Sequence, residues 1–247
     1  MAVRKSALQA HTPDYPHTIA TNEYGFYCVP DAFSKREVPK ILARGAVYEP
    51  DTLNLLRRLA RRGGDIISGG AFVGDFLPAL AEVLKPGAKL HTFEPHPDTY
   101  RAAAFTLALN DLKGVTLHPV AVSSAAGTLK LQTESEAGQP LAAAARIVGA
   151  DATGATVDVD VCRLDDLVAK SRKVSVLHLD IEDHEIAALS GAERIIGDNA
   201  PVVILEAAKR WKQRAIATHL NEYHPEHGYA FCGQVDNNSV YLALKRV

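Results

Sequence analysis

The side chains best suited to proton chemistry stand directly after two apolar segments in the second half of the chain; they are Asp180, Glu182, His184 and Glu206. The first three follow residues 174–179, and the last follows residues 202–205. A carboxylate or a neutral imidazole can take a proton from an acceptor group while a new bond forms to that group. The sequence therefore predicts Asp180, Glu182 and His184 as catalytic residues, with Asp180 or Glu182 orienting the imidazole of His184.

The same residues have two other uses. His184 and Glu185 could instead cap the helix that follows them, since polar and acidic side chains favour a helix N-terminus. Asp180, Glu182 and Glu206 could also hold Mg²⁺ through their oxygens. Nothing in their spacing demands a metal ion, so Mg²⁺ is not the favoured interpretation.

A glycine-rich turn in the first half of the chain carries the second chemical signal. Gly69 and Gly70 follow a short apolar strand, and Gly74 stands in the first turn of the predicted helix that comes next. A ligand can approach the backbone there and find free N–H groups. Glu94 stands twenty residues after Gly74, immediately past the next strand. An acidic residue there can accept hydrogen bonds from both ribose hydroxyls of a nucleoside. The alternative is a tight turn without a ligand, but together the two signals predict a nucleoside cofactor.

The identity of that cofactor depends on position 71. The dinucleotide fingerprint needs its second glycine there, so that the pyrophosphate can approach, and this chain has Ala71. S-adenosylmethionine carries no phosphate and needs only a nucleoside site with room for its methionine end. The mismatch favours S-adenosylmethionine over NAD, and an NAD(P)-dependent oxidoreductase or sugar epimerase is the alternative.

The elements that must position these residues alternate between strand and helix, as in a parallel sheet with crossover helices. The predicted strands are Asp65–Ser68, Lys89–Phe93, Val115–Val122, Val174–Leu179 and Val202–Leu205. The predicted helices are Phe72–Leu84, Pro97–Leu109, Glu185–Ile196 and Arg210–Tyr223. Two final strands, Tyr229–Cys232 and Val240–Leu244, flank the turn-forming residues 236–238 and are expected to be antiparallel neighbours.

Two regions depart from this alternation. Residues 1–50 form a predicted N-terminal extension on or near the active site, with a strand at Tyr24–Val29 and a helix at Val38–Arg44. The main domain is expected over 51–247 and begins with a helix from Asp51, its predicted N-cap, to Arg62. Between the predicted strands Gly127–Thr133 and Val157–Cys162, the Ala- and Gly-rich stretch Glu134–Thr156 indicates a long loop or lid.

Composition argues against several classes of function. The formal net charge is −2, and the basic cluster Lys209–Lys212 with Arg214 is typical of a solvated helix face, so nucleic acid is not an expected partner. No apolar stretch approaches the ~20 residues of a membrane span. No apolar segment follows Arg4 and Lys5 as in a secretory signal. Three widely spaced cysteines, Cys28, Cys162 and Cys232, favour a reducing compartment, so a cytoplasmic protein is expected.

Several sequence blocks, taken together, resemble the FkbM-type family of class I S-adenosylmethionine-dependent methyltransferases. They are Tyr48–Pro50, Gly70–Gly74, Phe93–Pro97, Val120–Ser123, Leu164–Leu167, Leu179–Glu185 and Val203–Glu206. The resemblance implies a Rossmann-like α/β fold, whose seven-stranded, mostly parallel sheet has an antiparallel last strand and helices on both faces. The residues then expected to bind the cofactor are Glu49, Ser68, Gly70, Phe72, Gly74, Glu94, Pro95, Val120, Ala121 and Asp180.

The chain departs from the family pattern at three positions. Ser68 replaces a usual acidic residue, Phe72 a usual Asn, and Asp183 a usual Gly. Asp75, Glu49 or Asp180 could therefore hold the cofactor's ammonium group, and a non-catalytic S-adenosylmethionine-binding protein is a further alternative. The favoured function is O-methylation of a hydroxyl on a sugar or a glycosylated metabolite, that is, a small-molecule or carbohydrate acceptor. Assembly into a homo-oligomer is left open.

Overall fold

A computed structural model describes residues 8–149 and 152–245 of the chain. Its strands are β1 (His17–Asn22), β2 (Gly25–Pro30), β3 (Asp65–Gly69), β4 (Leu90–Phe93), β5 (Val115–His118), β6 (Ala121–Val122), β7 (Gly127–Gln132), β8 (Arg146–Val148), β9 (Thr156–Cys162), β10 (Val174–Leu179), β11 (Val202–Glu206), β12 (Tyr229–Val235) and β13 (Asn238–Ala243). Its helices are α1 (Glu37–Ala43), α2 (Pro50–Ala60), α3 (Leu77–Ala81), α4 (Pro97–Leu109), α5 (Leu164–Leu167), α6 (Glu185–Ser190), α7 (Glu193–Asn199) and α8 (Arg210–Tyr223), with 3₁₀ turns at Asp31–Phe33 and Ala142–Ala144.

A seven-stranded mixed sheet forms the centre of the described residues, in the order β12-β13-β11-β10-β3-β4-β5. The five strands from β11 to β5 are parallel to one another. Strand β13 runs antiparallel to both β11 and β12. The predicted α/β class with a seven-stranded mixed sheet is confirmed.

Both faces of this sheet are covered, and most of the side chains on them are apolar. Ile66, Val176 and Ile204 share one cluster with side chains of α2 and α3. The residues that follow each of them in the chain, Ile67, Leu177 and Leu205, belong to another cluster, which includes side chains of α6, α7 and α8. Successive strand residues point to opposite faces, so these near-continuous apolar strands bury side chains on both sides.

A four-stranded sheet, β6-β9-β7-β8, lies beside the central one and corrects two predictions. The predicted strand Val115–Val122 is divided: β5 ends before Pro119, which has no N–H to donate, and β6 pairs with β9 instead. The predicted loop Glu134–Thr156 contains a 3₁₀ turn and β8, which pairs with β7. Residues 150 and 151 of that segment lie outside the described residues.

Three helix predictions were wrong in extent or start. In place of Phe72–Leu84, α3 begins only at Leu77, because Phe72 and Gly74 have left-handed backbone (φ 46° and 85°) that a right-handed helix cannot contain. The predicted helix Glu185–Ile196 is broken at Gly191, where a Cβ atom would lie 2.1 Å from the carbonyl oxygen of Ser123. Helix α2 starts at Pro50 with Glu49 as N-cap, not with Asp51, since proline suits the first helical position.

The N-terminal segment packs on α4. Strand β1, which the sequence analysis missed, pairs with β2 as an antiparallel hairpin, and Tyr27 and Cys28 of β2 share an apolar cluster with Phe105 of α4 and Phe72. Residues 1–7 of the predicted extension lie outside the described residues. In the described part of the chain, no helix has the length and apolarity needed to cross a membrane.

Candidate active site

A cleft opens at the carboxyl ends of β3, β4, β10 and β11, with about 1180 Å³ of empty space when the open solvent at its mouth is included. Most of the predicted site residues line it: Glu49, Ser68, Gly70, Phe72, Glu94, Pro95, Ala121, Asp180, Glu182, His184 and Glu206. Gly74 and Val120 are not part of this lining. A Cβ atom on Gly74 would lie 3.1 Å from Cγ2 of Thr106, so this glycine packs the turn against α4. Val120 packs against the apolar cluster that contains Ile67, Leu177 and Leu205.

The glycine turn touches the strand that carries Asp180. Gly70 has φ of +80°, and a Cβ atom there would lie 2.0 Å from the carbonyl oxygen of Asp180, so no other residue fits. The amide of Asp180 also donates to the carbonyl of Gly69 at 3.3 Å. The turn predicted to bind a cofactor and the residue predicted to serve catalysis are therefore held side by side.

Glu94 is buried beneath this turn and is tied to it. Its Oε2 accepts a hydrogen bond from the backbone N–H of Phe72 at 2.7 Å, and its Oε1 accepts one from the N–H of His96 at 2.9 Å. Burial raises the pKa of Glu94 to about 7, although these hydrogen bonds oppose the rise. Two carboxylate oxygens offer about four acceptor positions. The N–H groups of Phe72 and His96 and the side chain of Thr99 hydrogen-bond to Glu94, so capacity remains for a ribose hydroxyl.

Phe72 serves packing more than ligand contact. Its left-handed φ of 46° is a strained conformation for an aromatic residue. Its side chain is buried, and its ring centroid lies 6.3 Å from that of Phe33, in the N-terminal segment. The N–H bond to Glu94 and this apolar contact hold the turn in place, which accounts physically for an aromatic residue where the family usually has Asn.

A polar row lies under the turn, on one face of the sheet. Register places Thr92, Ser68 and His178 side by side on β4, β3 and β10, and Ser68 Oγ is 3.0 Å from His178 Nδ1. Burial lowers the pKa of His178 to about 4, so its imidazole is neutral near pH 7. His178 is buried, but it also lines the cleft, as Thr92 does. Neither His178 Nε2 nor Thr92 Oγ1 has a hydrogen-bond partner among the described residues.

Carboxylates dominate the other side of the lining. Burial raises the pKa of Asp180 well above its ordinary value, and the neighbouring Glu206 and Glu49 add to the rise. Burial also raises the pKa of Glu182 and of Glu49 to about 7, in each case reinforced by a nearby acid. Glu182 and Glu49 therefore exchange protons near neutral pH, as a general base must. In the part of the chain that the structure describes, no three His, Cys, Asp or Glu side chains are arranged to hold a metal ion.

His184 bonds to a hydroxyl and not to a carboxylate. Its Nε2 lies 2.9 Å from Oγ of Ser123, a buried residue that the sequence analysis did not single out, although it ends one of the family blocks. Burial lowers the pKa of His184, which keeps the ring neutral at pH 7. Ser123 thus contacts the imidazole of His184, while the orienting role of Asp180 or Glu182 stays a prediction. His184 is also the N-cap residue of α6, but its side chain makes no capping hydrogen bond.

The loop from Asp180 to His184 is strained and is held by a lysine. Glu182 and Asp183 both have left-handed backbone, with φ of 54° and 71°, which explains why glycine is usual at position 183. Asp183 compensates with a salt bridge to Nζ of Lys212 at 2.8 Å, and the same Nζ lies 3.0 Å from the buried Glu185. The predicted solvated face over Lys209–Lys212 is thus wrong for Lys212, which is buried.

The sequence analysis also missed an apolar part of the lining. It comes mainly from the four-stranded sheet and the 3₁₀ turn, and its members are Val122, Leu131, Ala142, Ala143, Ala145 and Ile147. Ala142, Ala143, Ala145 and Ile147 lie in the small-residue stretch that was predicted as a loop or lid, whereas Val122 and Leu131 lie in predicted strands. Tyr48 and Val38 of the N-terminal segment complete this side.

Comparisons with protein families and with solved structures identify relatives of this chain. A family model described as the methyltransferase FkbM domain matches residues 68–231. The fold is similar to a methyltransferase FkbM from Methylobacillus flagellatus KT (18% identity, TM-score 0.52), over 73% of this chain and 43% of that one. It is also similar to a methyltransferase from Geobacter sulfurreducens (15% identity, TM-score 0.50), over 100% of this chain and 97% of that one. The chain thus spans less than half of the first protein, and no curated protein gave a significant match.

Proposed function

The chain belongs to the FkbM methyltransferase family, and from that premise we propose that it transfers the methyl group of S-adenosylmethionine to a hydroxyl of a sugar or a glycosylated metabolite. In such a displacement the enzyme mainly aligns donor and acceptor, which can lower the barrier by several kcal/mol, about 7 or more in well-oriented cases. An NAD(P)-dependent oxidoreductase or epimerase is not retained, because the family is one of methyltransferases.

The observation that carries this proposal is the contact between the glycine turn and Asp180. Gly70 lies against the carbonyl of Asp180, and both residues line one cleft with Glu94. A nucleoside held by Glu94 and an acceptor served by Asp180 would therefore share a single enclosed space. Two substrates that react by direct displacement need this arrangement.

The cofactor end has a defined set of residues. Glu94 would accept hydrogen bonds from the ribose hydroxyls, and the Gly70 turn would leave room for the methionine end. Pro95 and Ala121 would give the purine an apolar surface. Asp75, half-buried in the lining, would meet the ammonium group where Ser68 replaces the family's usual acid.

The acceptor end has a base at hand. A hydroxyl is a weak nucleophile, and removal of its proton during the displacement accelerates attack. Asp180 and Glu182 suit that task because burial raises the pKa of both carboxyl groups, to about 7 for Glu182, and so strengthens them as bases. His184, neutral and bonded to Ser123, could pass the proton onward. The apolar lining from the 3₁₀ turn favours an acceptor that has an apolar surface beside its hydroxyl groups.

Ligand binding followed by label transfer tests the proposal. Calorimetry should show binding of S-adenosylmethionine and its demethylated product but not of NAD; binding of NAD alone would contradict the proposal. The protein is then incubated with S-adenosylmethionine labelled at the methyl group and a panel of free and nucleotide-linked sugars. An O-methyl ether survives mild alkali, whereas a methyl ester is hydrolysed, so label that is lost in alkali would refute transfer to a hydroxyl.

A further inference from the structure

The charged side chains that line the cleft are acidic. Six carboxylates of the described residues line it: Glu49, Asp75, Glu94, Asp180, Glu182 and Glu206. Among the described side chains that line it there is no lysine or arginine. Lys212 lies at the margin of this acidic set, but its ammonium is bonded to Asp183 and Glu185, which are outside the lining.

We infer that this cleft distinguishes the methyl donor from its product by charge, binding the sulfonium of S-adenosylmethionine more tightly than the neutral thioether of S-adenosylhomocysteine. The inference rests on the proposed function, since it concerns the same cofactor site. Its consequence is regulatory. Transfer of the methyl group removes the cation that the carboxylates attract, so the product is released readily and inhibits weakly.

The two ligands form a natural matched pair. They share the adenosine, the ammonium and the carboxylate, and they differ by one methyl group and one positive charge. Contacts common to both, including those of Glu94 with the ribose, cancel in the ratio of their dissociation constants. Burial of a methyl group accounts for a preference of only about fourfold. A unit charge in a half-buried acidic cleft is worth considerably more, so we expect a preference of at least about tenfold at pH 7.5.

Acid should weaken that preference. Burial raises the pKa of Glu49, Asp75, Glu94 and Glu182 to about 7, so they are mostly ionised at pH 7.5 and mostly neutral at pH 5.5. Burial raises the pKa values of Asp180 and Glu206 as well, which favours their neutral forms in acid.

The other ionisable groups that face the cleft do not lose negative charge between pH 7.5 and pH 5.5. His178 stays neutral through the range because burial lowers its pKa to about 4. Burial lowers the pKa of His184 as well, which opposes its protonation in acid. Burial raises the pKa of the Tyr48 phenol, which stays protonated. The cluster behind the lining holds Lys212 with Asp183 and Glu185; Lys212 remains charged because its pKa is raised further by its acidic partners despite burial. The α-ammonium and the α-carboxylate are common to both ligands.

Calorimetric titrations of the full chain at pH 7.5 and pH 5.5 test the inference. The ligands are S-adenosylmethionine, S-adenosylhomocysteine and the aza analogue whose protonated nitrogen replaces the sulfonium. Both cations should bind at least about tenfold more tightly than the thioether at pH 7.5, and this preference should fall to about fourfold or less at pH 5.5. Glu182→Gln and Glu206→Gln should lower the ratio at pH 7.5. Asp158→Asn removes one exposed negative charge outside the cleft and should leave the ratio unchanged.

The ratio remains informative if a variant folds poorly, because loss of folded protein affects all three ligands alike. Equal or tighter binding of the thioether at pH 7.5 would overturn the inference, as would a preference that is insensitive to pH and to both Glu→Gln changes. If neither S-adenosylmethionine nor its product binds, the proposed function itself fails, and this inference fails with it.

Discussion

Lys212→Met tests how the loop that carries the catalytic candidates is held. The ammonium of Lys212 bonds two carboxylates whose surroundings differ: the Glu185 side chain is 1% exposed and the Asp183 side chain is 76% exposed. The other oxygen of Glu185 accepts the backbone N–H of Ile181 at 3.2 Å. Lys212 therefore compensates the buried charge of Glu185 and the solvated charge of Asp183. Only the ion pair with Glu185 should contribute greatly to the free energy of unfolding.

The magnitude follows from that difference. Removal of one partner from a buried ion pair costs about 3–5 kcal/mol because the remaining charge stays desolvated. We expect Lys212→Met to lose free energy of unfolding in that range. Loss of an exposed ion pair costs only about 0–1 kcal/mol, and glycine at a left-handed position relieves strain of about 1 kcal/mol. Asp183→Gly should therefore change stability by less than about 1 kcal/mol in either direction.

The assay is equilibrium urea unfolding at pH 7.5, followed by far-ultraviolet circular dichroism. The double variant Lys212→Met/Glu185→Gln removes both buried charges and keeps an acceptor for Ile181, so it should recover most of the loss. If Lys212→Met costs less than about 1 kcal/mol, or if Asp183→Gly costs as much as Lys212→Met, the argument from burial is wrong.

Three further predictions concern the cleft. Glu94→Gln should weaken S-adenosylmethionine binding at least tenfold by calorimetry, because charge-assisted bonds to the ribose are lost; an unchanged dissociation constant would remove Glu94 from the site. Gly70→Ala should lower the free energy of unfolding in urea far more than Gly87→Ala. Both glycines have φ near +80°, but a Cβ atom at Gly87 meets nothing within 4 Å. Equal losses would mean that backbone strain, and not the clash with the carbonyl of Asp180, dominates. Once an acceptor is found, Asp180→Asn should bind S-adenosylmethionine with an affinity within a few-fold of the parent protein, yet its rate of methyl transfer should fall about a hundredfold. The activity of the parent protein should not be sensitive to EDTA. Near-normal turnover by Asp180→Asn would show that the active site lies elsewhere.

Local patterns predicted the elements that carry the site. Val174–Leu179 and Arg210–Tyr223 have the observed bounds because a continuous apolar run and a helical period depend only on neighbouring residues. Elements whose ends depend on distant contacts were mispredicted. The break at Gly191 comes from the approach of the Ser123 carbonyl, 68 positions away. The change of sheet after Pro119 depends on pairing with β9, some 40 residues further on.

The site divides in the same way. By itself the sequence determined that Glu94, Gly70 and Asp180 share one cleft, because parallel strands bring their carboxyl ends to one edge of a sheet. Only the tertiary structure decided which side chains meet: His184 with Ser123, and Lys212 with Asp183 and Glu185. Those pairs join residues that lie 27 to 61 positions apart, and their ionisation depends on burial, which is a property of the packed chain and not of any one segment.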